Sequence, residues 1–149
     1  LHGLWPDGKG GAHPQWCPVR RAPDAATLRR NLCTTPSADL LMHEWAKHGS
    51  CMSKDPAAYF DQGRVLFQAM QFPDMARLSR QPGLNAGMVR QALIIANPRL
   101  KPDMVKLLLN RSGWLREVHV CHSRAMKPVR CPIGNGPPDS VPVKIWRSF

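Results

Sequence analysis

The way helix-type and strand-type patterning is divided along the chain limits the fold more than any other feature. Helical patterns occupy the first two-thirds and strand patterns the last third. Regular alternation of the two would build a parallel sheet, whereas strands gathered at one end of a chain pair antiparallel. The expected class is therefore α+β, an antiparallel β-sheet packed with several α-helices.

The helices are marked by their starts. Asp24 is placed to cap a short helix over 24–33, and Ser37 or Asp39 to cap the helix that enters 43–51. Asp55 and Pro56 stand at the N-cap and first position of the clearest helix, which runs to Met70. Phe60, Phe67 and Met70, with Val65 or Leu66 between them, form its expected core stripe. A short helix follows Pro73, and another runs from Asn85 to about Ala96, before Asn97-Pro98. The apolar run 104–109, the turn residues 110–113 and the alternating stretch 114–121 predict a hairpin. Shorter strand patterns cover 129–131 and 141–147. Residues 1–7 read as the end of an apolar strand running into a turn, and residues 8–18 as loop.

At 149 residues the chain is expected to be a single domain, 1–149, able to bury roughly two-thirds of its unfolded surface. An apolar share of 43% argues against disorder, and no run of eighteen apolar residues predicts a transmembrane helix. The net charge of +11 favours a polyanionic partner. The basic residues are scattered, without a tail or an amphipathic membrane stripe, which puts nucleic acid ahead of a membrane surface. Cysteines stand at 17, 33, 51, 121 and 131 with no C-x-x-C pair, which leaves a zinc ribbon or a thioredoxin motif unsupported. Dispersed cysteines and fifteen prolines fit an exported, disulfide-bonded protein, secreted or periplasmic. The odd count leaves one thiol unpaired, or paired with a segment outside this sequence. The chain opens inside an apparent motif, so whatever preceded Leu1 has been cleaved, removed or left out.

Chemistry concentrates at 43–51, H-E-W-A-K-H-G-S-C. Residues four apart share a helix face, which pairs His43 with Lys47 and Glu44 with His48. All four polar tips are then expected on one side, with Trp45 and Ala46 toward a core and Gly49 as the helix stop. Two groups that titrate near neutrality, one cation and one carboxylate suit proton transfer around an anion. A zinc-protease helix requires histidines four apart. Here they are five apart, which turns the second about 140° from the first on an ideal helix. Lys47 would also set a cation beside the metal. His13, His119 and His122 lack such company and read as surface or hydrogen-bonded histidines.

A second histidine, His2, lies in L-H-G-L-W-P. His2-Gly3-Leu4-Trp5-Pro6, followed by His43-Glu44-Trp45-Ala46-Lys47-His48-Gly49-Ser50-Cys51, resembles the two active-site segments of the ribonuclease T2 family. That resemblance implies the family's fold, with an N-terminal strand that this chain lacks. It implies an endoribonuclease that cleaves single-stranded RNA with low base specificity and without a metal or other cofactor. The ribose 2′-OH attacks its own phosphate, leaving a 2′,3′-cyclic phosphate and a 5′-OH. By the family pattern His48 is the general base and His2 the general acid, and their membership is firmer than this division of roles. His43 anchors the phosphate, while Lys47 and Glu44 stabilise the pentacovalent state or tune the imidazoles. Trp5 would stack on a base. Asp7 would accept from an adenine amino group, or serve only as a turn residue before Gly8. The pattern also suggests the disulfides Cys17–Cys51 and Cys121–Cys131, with Cys33–Cys51 as a competitor to the first. The protein implied is a monomer without membrane attachment. From a different class, the same basic chain could be an RNA-binding or toxin-like protein that has lost catalysis.

Overall fold

Asp24, Ser37, Asp74 and Asn85 each turn a side-chain oxygen onto the backbone N–H three residues ahead. Each opens a helix in the computed structural model, which describes residues 1–8 and 13–146. These caps satisfy donors that the first helical turn leaves without partners. The described chain combines helices with a small antiparallel sheet, an α+β fold. It divides into two compact units, Leu1–Ala69 and Met70–Phe149.

The first unit holds α1 (Ala25–Asn31), α2 (Ala38–Glu44), a π-helical turn (Trp45–Gly49), α3 (Ser50–Met52) and α4 (Pro56–Ala69). Ser37, not Asp39, caps α2. Leu41, Trp45, Tyr59 and Phe60 form a buried cluster, with Leu4, Leu28 and Met52 packed on it. Each such side chain stabilises the unit by on the order of 2 kcal/mol when fully buried. The core face of α4 is Pro56, Tyr59, Phe60 and Gly63, earlier in the helix than the sequence pattern indicates. Its first half packs on α1 and the π turn, so Leu66, Phe67 and Met70 are half-buried and Val65 is exposed.

Gly49 does not stop the helix. Its φ of −62° is helical, and the chain stays helical to Met52. Glycine is required there for space. A Cβ would lie 2.5 Å from the Trp45 ring and 2.9 Å from that of Tyr59. Residues 1–8 form no strand either. Their backbone groups find side-chain partners instead of a ladder: Thr35 Oγ1 donates to Leu1 O (2.7 Å) and the Tyr59 hydroxyl to Leu4 O (2.9 Å).

The second unit holds α5 (Met75–Leu78), α6 (Ala86–Ala96), a 3₁₀ turn (Pro102–Met104), β1 (Val105–Leu109) and β2 (Leu115–Val120). The strands pair antiparallel with Val105 opposite Val120 and Leu107 opposite Val118, and the register shifts between Leu108 and Leu109. Asn110 organises the hairpin turn by accepting from the N–H groups of Ser112 and Trp114. Val89 and Leu93 of α6 pack with Val105, Leu107, Leu100 and Val143 in this unit's core. Arg90 is buried among them, paired with Asp139 and donating to the carbonyls of Asn135 and Pro137 (2.7 Å each).

The strand patterns at 129–131 and 141–147 do not become strands. His122–Pro128, Asn85–Pro142 and Trp114–Lys144 pair as isolated bridges. Pro128 and Pro132 bracket the first stretch and Pro142 interrupts the second, and proline cannot donate to a ladder. Arg147, the last residue of that pattern, and Lys9–Ala12 of the expected loop lie outside the described residues.

Candidate active site

The first histidine segment is fixed by Tyr59, the chain's single tyrosine. Its hydroxyl donates to Leu4 O and accepts from Leu4 N–H (3.4 Å), clamping the backbone beside His2, Gly3 and Trp5. Burial, opposed by the Leu4 hydrogen bond and assisted by the Glu44 carboxylate, pushes the Tyr59 hydroxyl pKa well above its ordinary value. It stays protonated and keeps donating. Gly3 makes the close approach possible, since a Cβ would run into Glu44 Oε2 and come within 2.7 Å of Trp5 Nε1.

The second segment crosses the π turn. Ser50 N–H reaches Trp45 O, five residues back, where an α-helix would bond four back. Each residue of a wider turn advances by less than the 100° of an α-helix, so residues five apart draw toward one face. The four polar side chains nevertheless separate by depth. Glu44 and His48 are buried, His43 is exposed and Lys47 is half-buried.

Trp5 joins the two segments. Its Nε1 donates to Glu44 Oε2 at 2.6 Å, while Glu44 Oε1 lies 3.5 Å from His2 Nε2. The Trp5 ring stands 4.9 Å from the His2 ring, edge to face, and 5.3 Å from that of His48. A buried carboxylate, an indole and two imidazoles thus meet in one cluster. Burial lowers the pKa of His48; Glu44 works against that, and Lys47, His43 and His2 reinforce it. His48 is therefore neutral at pH 7. Its Nδ1 is buried and has no hydrogen-bond partner among the described residues.

A model of the ribonuclease T2 family matches residues 1–86, more than half of the chain and all of this cluster. The chain belongs to the ribonuclease T2 family. A probable ribonuclease of Haemophilus influenzae is 29% identical over 136 residues, covering 88% of this chain and 45% of that protein. The chain thus spans about half the length of this curated relative. Its fold is that of trichomaglin, an S-like ribonuclease, with a TM-score of 0.72 at 19% identity, covering 96% of this chain and 79% of that one. It also matches RNase NT, solved in complex with 5′-AMP, with a TM-score of 0.67 at 19% identity, covering 97% and 81%.

Around this T2-family cluster, a disulfide and a backbone hydrogen bond tie the loop after the first motif to the helix that carries the second. Cys17 and Cys51 form a disulfide, and Trp16 N–H donates to Lys47 O at 2.8 Å. Cys121 and Cys131 form the second disulfide, and Cys33 is an exposed free thiol. Asp7 is paired with His13 Nδ1 at 2.6 Å, both half-exposed, so His13 has a specific partner. In the second unit His119 pairs with Glu117 (2.7 Å) and His122 Nδ1 contacts Val120 O (2.9 Å). Among the described residues, no three His, Cys, Asp or Glu side chains are grouped to hold a metal ion, and no helix is long and apolar enough to cross a membrane.

Sequence patterning did not single out Tyr59 or Trp16, and it placed Gly3 in the first motif without a role. Tyr59 and Gly3 act through close packing against a distant segment, for which no local signal exists. Trp16 carried a hint in its place next to Cys17.

Proposed function

We propose that the protein is an endoribonuclease that cleaves single-stranded RNA by attack of the ribose 2′-OH on the adjacent phosphate. Products would be a 2′,3′-cyclic phosphate and a free 5′-OH, formed without a metal ion and with low base specificity. One observation carries this reading: His2 and His48 meet the same Trp5 ring, with the buried Glu44 carboxylate at its N–H edge. Two imidazoles held together can take one proton and return another in a single displacement.

His48, buried and neutral at pH 7, is the general base that accepts the 2′ proton. His2, half-exposed and within 3.5 Å of Glu44, is the general acid that protonates the leaving 5′ oxygen. His43 and Lys47, outside the buried pair, bind the phosphate and offset charge building on the phosphorane. Glu44 orients His2 and Trp5 together. Trp5 and Asp7 contribute to base binding. We take residues 1–149 as a single domain, a reading supported by a family match that runs past Ala69 to residue 86. The two disulfides support a secreted or periplasmic location, with the protein acting as a monomer.

The test is incubation with RNA in EDTA followed by end-group analysis. Cyclic phosphate ends are expected, and His48→Ala or His2→Ala should each slow their formation roughly a thousandfold. Undiminished cleavage in both variants overturns the reading. Salt-sensitive RNA binding without a cyclic product would identify a basic RNA-binding protein instead.

A further inference from the structure

Among the described residues of Leu1–Ala69, Trp16 is the aromatic side chain most open to solvent, at 61% exposure. Its backbone is strained as well. With φ at +56° it occupies the left-handed region that a bulky side chain rarely adopts. Neither feature is expected of an indole with only a packing role, because it gains little burial in return.

Three contacts hold it there. Its N–H donates to Lys47 O, the next residue is disulfide-bonded to Cys51, and its ring stands perpendicular to that of His43 with centroids 5.5 Å apart. An exposed ring is thereby fixed beside the two residues assigned above to the phosphate. Strain maintained by the surrounding structure at such a place points to use.

We propose that Trp16 is a stacking platform for a nucleobase of single-stranded RNA, adjoining the phosphate that His43 and Lys47 hold. It is a second platform beyond Trp5, whose ring is already met by His2 and His48. Every base has a π-face, so stacking here adds affinity without demanding a particular base. The chain's +11 charge supplies the attraction to the backbone. This inference rests on the ribonuclease reading for its substrate.

The test measures both binding and cleavage. A single-stranded deoxyoligonucleotide lacks the 2′-OH, so its binding by the wild type can be followed without cleavage. Trp16→Ala should raise both its Kd and the KM for RNA roughly tenfold, the value of one stacked base, with kcat and the thermal midpoint unchanged. Trp16→Phe should recover most of the loss. Trp16→Gly relieves the backbone strain, so it should keep or raise the thermal midpoint while weakening binding as alanine does. RNA with abasic positions flanking the cleaved phosphate removes the partners of both platforms, so it should bind the wild type and Trp16→Ala equally weakly. Unchanged Kd and KM in the alanine and glycine variants overturn the platform while leaving the ribonuclease reading intact. A wild type that cleaves no RNA, yet loses deoxyoligonucleotide affinity on Trp16→Ala, overturns the ribonuclease reading and keeps the platform.

Discussion

Trp5 Nε1 donates to Glu44 Oε2 at 2.6 Å, so the carboxylate facing His2 is also the acceptor that fixes the indole met by His48. One buried residue thereby sets the positions of both imidazoles. Trp5→Phe keeps an aromatic ring, smaller than the indole, and removes the donor. The Glu44 oxygen would lose a partner in a buried site, a loss of about 1–3 kcal/mol. A lower thermal midpoint is expected, with a fall in kcat larger than any rise in KM.

Glu44 and Lys47 act on His48 in opposite directions, which gives two variants with opposite pH effects. A general base must be neutral, so activity falls as pH drops through the His48 pKa, which lies below its ordinary 6.5. Glu44 raises that pKa and Lys47 lowers it. Glu44→Gln should move the acid limb of kcat/KM to lower pH, and Lys47→Gln should move it to higher pH. Limbs that shift in the same direction would remove His48 from the role of base.

Gly49→Ala should reverse a familiar gain. Alanine in place of glycine inside a helix normally stabilises by roughly 0.5–1 kcal/mol. Here the methyl group would press on the Trp45 and Tyr59 rings, and overpacking costs about 1–3 kcal/mol. Denaturant unfolding should show a lower midpoint for the variant.

Stability should fall on mild acidification. Burial lowers the pKa of both His48 and His122, so the unfolded chain takes up protons below pH 6.5 that the folded chain resists. The stabilisation is complete above that pH and declines as pH falls through the two folded-state values. Urea midpoints measured between pH 8 and 5 should decrease, and His122→Asn should remove part of the slope without the loss of activity expected of a His48 variant.

Cys17→Ser should reduce both stability and cleavage, because the Cys17–Cys51 disulfide ties the loop bearing Trp16 to the catalytic helix. Removing a cross-link of this kind costs typically 2–4 kcal/mol. Cys33→Ser, at an exposed free thiol, should change neither thermal midpoint nor rate.

The helix starts were legible because capping is local. Asp24, Ser37 and Asn85 each accept from an amide three residues away, within the reach of any sequence window. The hairpin was legible too, through the turn residues between two apolar runs. The strands expected at 129–131 and 141–147 were not, because local alternation gives no weight to Pro128 and Pro132 on either side of the first or to Pro142 within the second. At the site, residue types were legible but depth was not. Spacing put His43, Glu44, Lys47 and His48 on one face, whereas the folded chain buries the middle carboxylate and the last histidine. That difference comes from contacts made by Trp5, Gly3 and Tyr59 across the N-terminal unit. Trp16 lay beyond any propensity rule, because a bulky residue at positive φ contradicts what its type prefers.

The π turn at Trp45–Gly49 also bears on how this segment can vary in length. A helix that carries one residue too many for its turn invites deletion, and losing one position there would restore an ideal ladder. Four steps of an α-helix turn through about 400°, and five steps of a wider turn cover nearly the same angle, so the flanking helix stays in phase across the extra residue. The wide turn is thus the device that lets histidines five apart in sequence, His43 and His48, serve one site.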